Sequence, residues 1–87
     1  MTVERIESIE KVPLAIDYRR LYRGVALLNV AGRVAPAARI EFSLELSPFG
    51  KNEVSVGFLE ATEYPLVPAI RVLKEHIQTL DRDGALP

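Results

Sequence analysis

The sequence contains no cysteine, only one histidine, and no apolar run long enough to form a membrane span. Without cysteine, the chain cannot form disulfides, thiolate nucleophiles or cysteine-ligated zinc and iron–sulfur sites. A helix that crosses a bilayer needs ~20 mostly apolar residues, so we expect no membrane partner. The N-terminal stretch MTVERIESIEK is too charged for a signal peptide, and we therefore expect a cytoplasmic protein.

An excess of charge of either sign is also missing. Eleven Lys and Arg side chains stand against twelve Asp and Glu side chains, which leaves a net charge of −1. No overall field attracts a polyanion or a membrane surface, so such contacts would have to come from a local patch. The 87 residues, 48 % hydrophobic and 26 % charged, predict one soluble globular domain spanning residues 1–87.

Motifs for catalysis and cofactor binding are absent as well. The glycines are scattered, which excludes a glycine-rich phosphate loop. His76 falls at the border of an apolar helical stripe without an oriented partner, so we interpret it as a boundary or interface residue. Glu41 and Glu45 share a strand face but lie roughly 13 Å apart, too far for a carboxyl pair acting on one bond. We expect no enzyme activity, no cofactor and no metal site.

The strongest pattern that is present is a β-hairpin between residues 39 and 60. Apolar and polar residues alternate on both arms, which is typical of strands with one covered face, and the intervening SPFGKN supplies a longer hairpin loop. Leu59 breaks the alternation and marks the end of the second strand. The polar side carries serines and glutamates, which we interpret as a solvated face, with a polar binding surface as the alternative. The apolar members are Ile40, Phe42, Leu44 and Leu46 on the first arm and Val54, Val56 and Phe58 on the second.

The segment before the hairpin is harder to assign. Val3, Ile6, Ile9 and Val12 recur every three residues, as they would in a helix capped by Thr2, but a strand is the rival interpretation. We favour extended structure over about residues 9–18.

Gly24 then predicts a turn into the strand VALLNVAGRV. Val25, Leu27 and Ala31 make one of its faces apolar, and the opposite face is apolar too, with Ala26, Leu28, Val30 and Val34. A strand that is apolar on both sides is usually covered on both.

The C-terminal segment predicts an amphipathic helix. Thr62 or Glu63 is placed to cap it, Pro65 suits its first turn, and Gly84 fits a left-handed C-cap. The apolar stripe consists of Leu66, Ile70, Leu73, Ile77 and Leu80. The predicted fold is therefore α+β, a four-stranded antiparallel β-meander with one C-terminal helix packed on one face (ββββα). The predicted core residues are Leu28, Val30, Ile40, Phe42, Leu44, Leu46, Val54, Val56, Phe58, Ile70, Leu73 and Ile77.

One helix covers only one face of a sheet, and this leads to the functional hypothesis. We expect a small non-enzymatic module that forms a homodimer, or binds a protein partner, through its sheet, with Val25, Leu27 and Ala31 at the interface. A third and less favoured hypothesis is an enzyme whose site is shared between subunits, with His76 at the interface.

The alternative function is single-stranded nucleic-acid binding. Arginines interleaved with tyrosines could contact phosphates and stack on bases. The predicted strand order resembles, in outline only, the single-stranded nucleic-acid-binding folds of the Pur-alpha and Whirly kind, and no residue is carried over from them. The contact residues of this hypothesis are Tyr18, Arg19, Arg20, Tyr22 and Arg23.

Overall fold

The computed structural model describes residues 1–87 and contains one antiparallel sheet and one helix. The main strands lie in the order β1-β2-β4-β5, and the short β3 pairs with the end of β2. This confirms the predicted α+β meander with a closing helix. The elements are β1 (Thr2–Val12), β2 (Arg19–Val30), β3 (Arg33–Val34), β4 (Ala38–Leu46), β5 (Asn52–Phe58) and α1 (Leu66–Arg82).

The β4–β5 hairpin forms as its alternation predicts. The register runs without a shift from Ile40↔Phe58 to Leu46↔Asn52, and the second strand ends before Leu59. In the connecting loop, Gly50 has a φ of 79° and its N–H donates to the Ser47 carbonyl oxygen at 3.0 Å. Leu46 was predicted as a core residue, and this is wrong: it lies at the last strand position, beyond the reach of the helix, and is 56 % exposed.

Strand β1 explains why its apolar residues recur every three positions. The pairing with β2 shifts between Val3 and Arg5 and again between Glu7 and Glu10. Each β-bulge takes up one extra residue, so side chains three positions apart return to the same sheet face. Val3, Ile6 and Ile9 all pack against the core, and the helix capped by Thr2 does not form.

The strand predicted over residues 9–18 is only partly present. Residues 9–12 belong to β1, but residues 13–18 are an irregular connection. Pro13 has no N–H to donate to a ladder, and the chain leaves the sheet there. The alternation of Leu14, Ile16 and Tyr18 therefore does not correspond to a strand.

Gly24 does not form a turn, contrary to the prediction. It lies in the middle of β2, where it pairs with Ile40 of β4. A Cβ atom at this position would lie 3.0 Å from Ile6 Cγ2 and 3.2 Å from the Glu7 carbonyl oxygen. The glycine therefore permits the close approach of β1 at its second bulge.

The turn after β2 lies at Ala31 and Gly32. Both have positive φ, 52° and 80°, as a two-residue hairpin turn with matching twist requires. The reversal separates Val34 from the strand to which it was assigned. One extra residue is then accommodated at Pro36-Ala37, because the register changes between Asn29↔Val34 and Ala26↔Ala38.

Helix α1 begins one residue after Pro65, and no side chain caps it. Thr62 donates to the Tyr64 carbonyl oxygen instead, at 3.4 Å, so the predicted cap is wrong. The helix ends at Arg82, and Gly84 has a φ of 68°, as predicted. Its buried stripe consists of Ala69, Leu73 and Ile77, while Leu66, at the start of the predicted stripe, is 48 % exposed.

The core lies between α1 and one face of the sheet. Tyr22 is fully buried in it, with its ring stacked on Phe42 at a centroid distance of 5.2 Å. Asp81 fixes the end of the helix to the sheet, since it accepts from Arg20 at 2.9 Å and from Asn52 at 2.8 Å. Val30, Val56, Phe58 and Ile70 are only partly buried. The buried core cluster is Tyr22, Ala26, Leu28, Ile40, Phe42, Leu44, Val54, Ala69, Leu73 and Ile77.

Candidate functional site

The candidate site is the face of the sheet that points away from α1, which we call the open face. Along β2, Tyr22, Ala26 and Leu28 join the core under the helix, so the alternating residues between them point to the other side. The only helix packs on the core side, and no element covers the open face. This arrangement is the one that the two apolar faces of β2 predict.

Apolar side chains form an interrupted row across the open face. Leu21, Val25 and Leu27 on β2 are partly buried by their neighbours in the sheet. Val34 pairs with Asn29 and extends the row, with 54 % of its surface exposed. The row was predicted to include Ala31, but this residue lies in the turn and is not part of the face.

Charged side chains separate the apolar ones. Arg23 lies between Glu10 and Glu41 on the neighbouring strands, and its Nε is 3.0 Å from the Glu41 carboxylate. Arg39 faces Glu60, with 3.8 Å between Nε and Oε2. Because these cations and carboxylates are paired, the face combines apolar area with neutralised charge.

A shallow groove of about 250 Å³ crosses β4 and β5 on the same face. Ser43, Ser55 and Gly57 leave little side-chain volume along it, while Leu21 and Leu59 line it as well. Arg19 donates to Ser43 Oγ at 3.3 Å. The small side chains predicted as a solvated face therefore form a depression into which a side chain of a partner fits.

The predicted arginine and tyrosine patch does not assemble as one surface. Tyr22 is buried and cannot stack on a base, and its hydroxyl donates to the Pro87 carbonyl oxygen at 3.1 Å. Arg20 is bound to Asp81 and Arg23 to Glu41. Only Tyr18 and Arg19 are exposed without a carboxylate partner. The alternation of β2 places successive residues on opposite faces, which the sequence interpretation as a connecting segment did not consider.

The whole of this surface lies within one family match. A model of the BB_0187 family matches residues 1–82, which includes every strand and all of α1. The chain belongs to this family. No curated protein and no solved structure matches it. The family name states no activity, so the function of the chain has to be argued from its surfaces.

His76 lies at the border of the buried helix stripe, as predicted. It is partly buried in a recess between α1 and the start of β1, with Thr2, Val3 and Glu75 among its neighbours. Burial lowers the pKa of the imidazole below its ordinary value of 6.5. No group of three or more His, Asp or Glu side chains is placed to hold a metal ion, and α1 is neither long nor apolar enough to cross a membrane.

Sequence reasoning missed a second exposed apolar region in this family member. Phe49, at the tip of the β4–β5 loop, is 90 % exposed. The adjoining connection between β1 and β2 exposes Leu14, Ile16 and Tyr18, and the two loops meet where Leu46 N–H donates to the Tyr18 carbonyl oxygen at 2.9 Å. The available signal was an aromatic residue inside the turn SPFGKN, where no covered face exists for it.

Proposed function

We propose that this chain is a non-enzymatic association module that forms a homodimer through the open face of its sheet. One observation supports the proposal above the others. Leu21, Val25 and Leu27 lie on the side of the sheet that no element covers, and Val34 adds more than half of its surface. Contact with a second copy removes this apolar area from water, which stabilises by about 25 cal/mol per Å².

The size of the face sets the expected strength. Four strands at ~4.8 Å spacing and nine residues of β2 give roughly 500 Å² in projection. A standard interface buries ~800 Å² on each partner. The open face is therefore small and partly charged, and we expect a dimer that dissociates in roughly the micromolar range rather than an obligate one.

The test is sedimentation equilibrium of the wild-type chain and of Leu27→Lys. We expect the wild type to shift from monomer to dimer between ~1 and ~300 μM, and the variant to remain a monomer, since it places an unpaired charge in the interface. Val67→Lys is the matched control, because Val67 is 72 % exposed on α1 and away from the open face.

A wild-type chain that stays monomeric at ~300 μM contradicts the proposal. So does a Leu27→Lys chain that dimerises as the wild type does. If Val67→Lys alone abolishes association, the dimer forms through the helix and the open face is the wrong surface.

A further inference from the structure

The largest cleft of the molecule lies at the opposite end of the sheet from Phe49. It measures about 460 Å³ and lies between the segments 35–38 and 60–64. The first segment leaves the ladder at Pro36, which has no N–H and takes up the extra residue between β3 and β4. The break in the ladder opens the space, and the second segment closes its other side.

Small apolar side chains line most of this cleft. Ala35, Pro36, Ala37 and Ala61 form its walls together with Val30, and none of them is long enough to fill it. Clefts of roughly 300–1,000 Å³ with mostly apolar walls and a few polar groups are typical of small-molecule sites. The cleft therefore has the size for a small organic body.

Tyr64 supplies an unsatisfied polar group at the cleft. Its ring packs edge-on against Phe58 at a centroid distance of 5.9 Å. Its hydroxyl is closed to solvent and has no hydrogen-bond partner, and no other buried side-chain polar atom is left in this state. Buried polar groups are nearly always paired, so this hydroxyl indicates a partner that belongs to a ligand.

The charges at the cleft select the sign of the ligand. Glu60 and Glu63 both line it. Glu60 accepts from the Arg39 backbone N–H at 2.8 Å and faces its guanidinium, while Glu63 has no partner. The remaining charge is therefore negative. Burial and the charge of Glu60 both raise the pKa of Tyr64, which keeps its phenol neutral and able to accept a hydrogen bond.

We propose that this cleft binds a small primary amine with a short apolar body. The apolar body lies against the alanine and proline walls. The ammonium group donates to the Tyr64 hydroxyl oxygen and is attracted by the carboxylates of Glu60 and Glu63. The site is independent of the association proposed for the open face.

Titration of the full chain with n-pentylammonium, followed by amide NMR shifts, tests the proposal. For a ligand of this size we expect a dissociation constant of about 1 mM, with shifts confined to residues 30–38 and 60–64. Pentanol and pentanoate carry the same body with a neutral or negative head. We expect them to bind at least about tenfold more weakly.

Two variants separate the ligand role of Tyr64 from a structural role. Tyr64→Phe removes only the hydroxyl, so we expect about tenfold weaker binding of pentylammonium, with an unchanged or higher melting temperature. Ala37→Leu fills the cleft, and we expect it to abolish binding. Tyr18→Phe is the matched control, since Tyr18 is 56 % exposed and lies at the other end of the sheet.

Nα-acetyl-lysine amide shows where the alkylammonium group comes from. Its binding assigns the group to a lysine of a protein partner, and binding of pentylammonium alone assigns it to a free amine. Either result supports the cleft as an amine site. Equal binding of pentanoate, shifts outside the cleft, or full affinity in Tyr64→Phe overturns the proposal.

Discussion

At the scale of single residues, Gly24 shows how one missing side chain sets the distance between two strands. A methyl group at this position would meet Ile6 and the backbone of Glu7 at 3.0 and 3.2 Å. Backbone cannot move aside as a flexible side chain does. We therefore expect Gly24→Ala to lower the free energy of unfolding by about 1 to 3 kcal/mol in urea denaturation.

Gly57 provides the control for this prediction, because it also lies within a strand. A Cβ atom added there has nothing within 4 Å, and alanine restricts the unfolded chain more than glycine does. Gly57→Ala should leave stability unchanged or raise it slightly. Equal losses in the two variants would show that the contact with β1 is not the cause.

His76 makes stability depend on pH. Burial lowers its pKa from 6.5 in the folded chain, so the unfolded chain takes up the proton first as the pH falls. The stability that depends on the neutral imidazole is complete above pH 6.5 and is lost as the pH drops through the lower folded value. His76→Gln should therefore reduce the fall in the urea midpoint between about pH 7.5 and about pH 5.5. An identical fall in both chains would rule out this origin.

Most of the core could be predicted at this scale, because alternation in the hairpin marks one face of each strand. Phe42 and Leu44 are buried as predicted. Tyr22 was missed because three arginines surround it in sequence, although strand geometry sends Arg23 to the other face. Leu46 was wrong for a different reason: alternation identifies the face of a strand but not the point at which the covering helix ends.

At the scale of elements, β1 shows that periodicity alone does not identify a secondary structure. A spacing of three arises in a helix by rotation and in β1 by two bulges, each of which adds one residue. Ser8, at the second bulge, has a φ of 53°, which a sequence pattern does not reveal. The helix α1 was easier to predict, since its apolar spacing has no strand equivalent of the same length.

The turn between β2 and β3 yields a prediction at the same scale. Ala31 adopts a φ of 52°, a left-handed conformation that is costly for alanine and favourable for asparagine. Ala31→Asn should therefore raise the free energy of unfolding by about 1 kcal/mol, or the melting temperature by roughly 4 to 8 °C. The measurement is thermal denaturation followed by circular dichroism.

Ala15→Asn is the control, because Ala15 is exposed in the connection 13–18 and its φ is not positive. Asparagine there should change the melting temperature little. A gain of the same size in both variants would mean that asparagine acts through the unfolded chain rather than through the turn.

At the scale of the whole molecule, the open face and the cleft differ in how far they could be predicted. The open face follows from residue types in β2 and from the count of one helix. The cleft does not, because it forms where Pro36 and the segment 60–64, which are distant in sequence, lie on either side of a gap. Sequence patterns within one element contain no information about such a gap.

Association through the open face also predicts how stability depends on concentration. If folded chains pair and unfolded chains do not, the melting temperature rises with protein concentration, because dimerisation stabilises the folded state by mass action. A hundredfold excess of concentration over the dissociation constant contributes ~2.7 kcal/mol. Leu27→Lys should melt at a temperature independent of concentration, whereas Val67→Lys should follow the wild type. A wild-type melting temperature that stays constant between ~1 and ~300 μM would show that the half-buried row of Leu21, Val25 and Leu27 is stable in water without a partner.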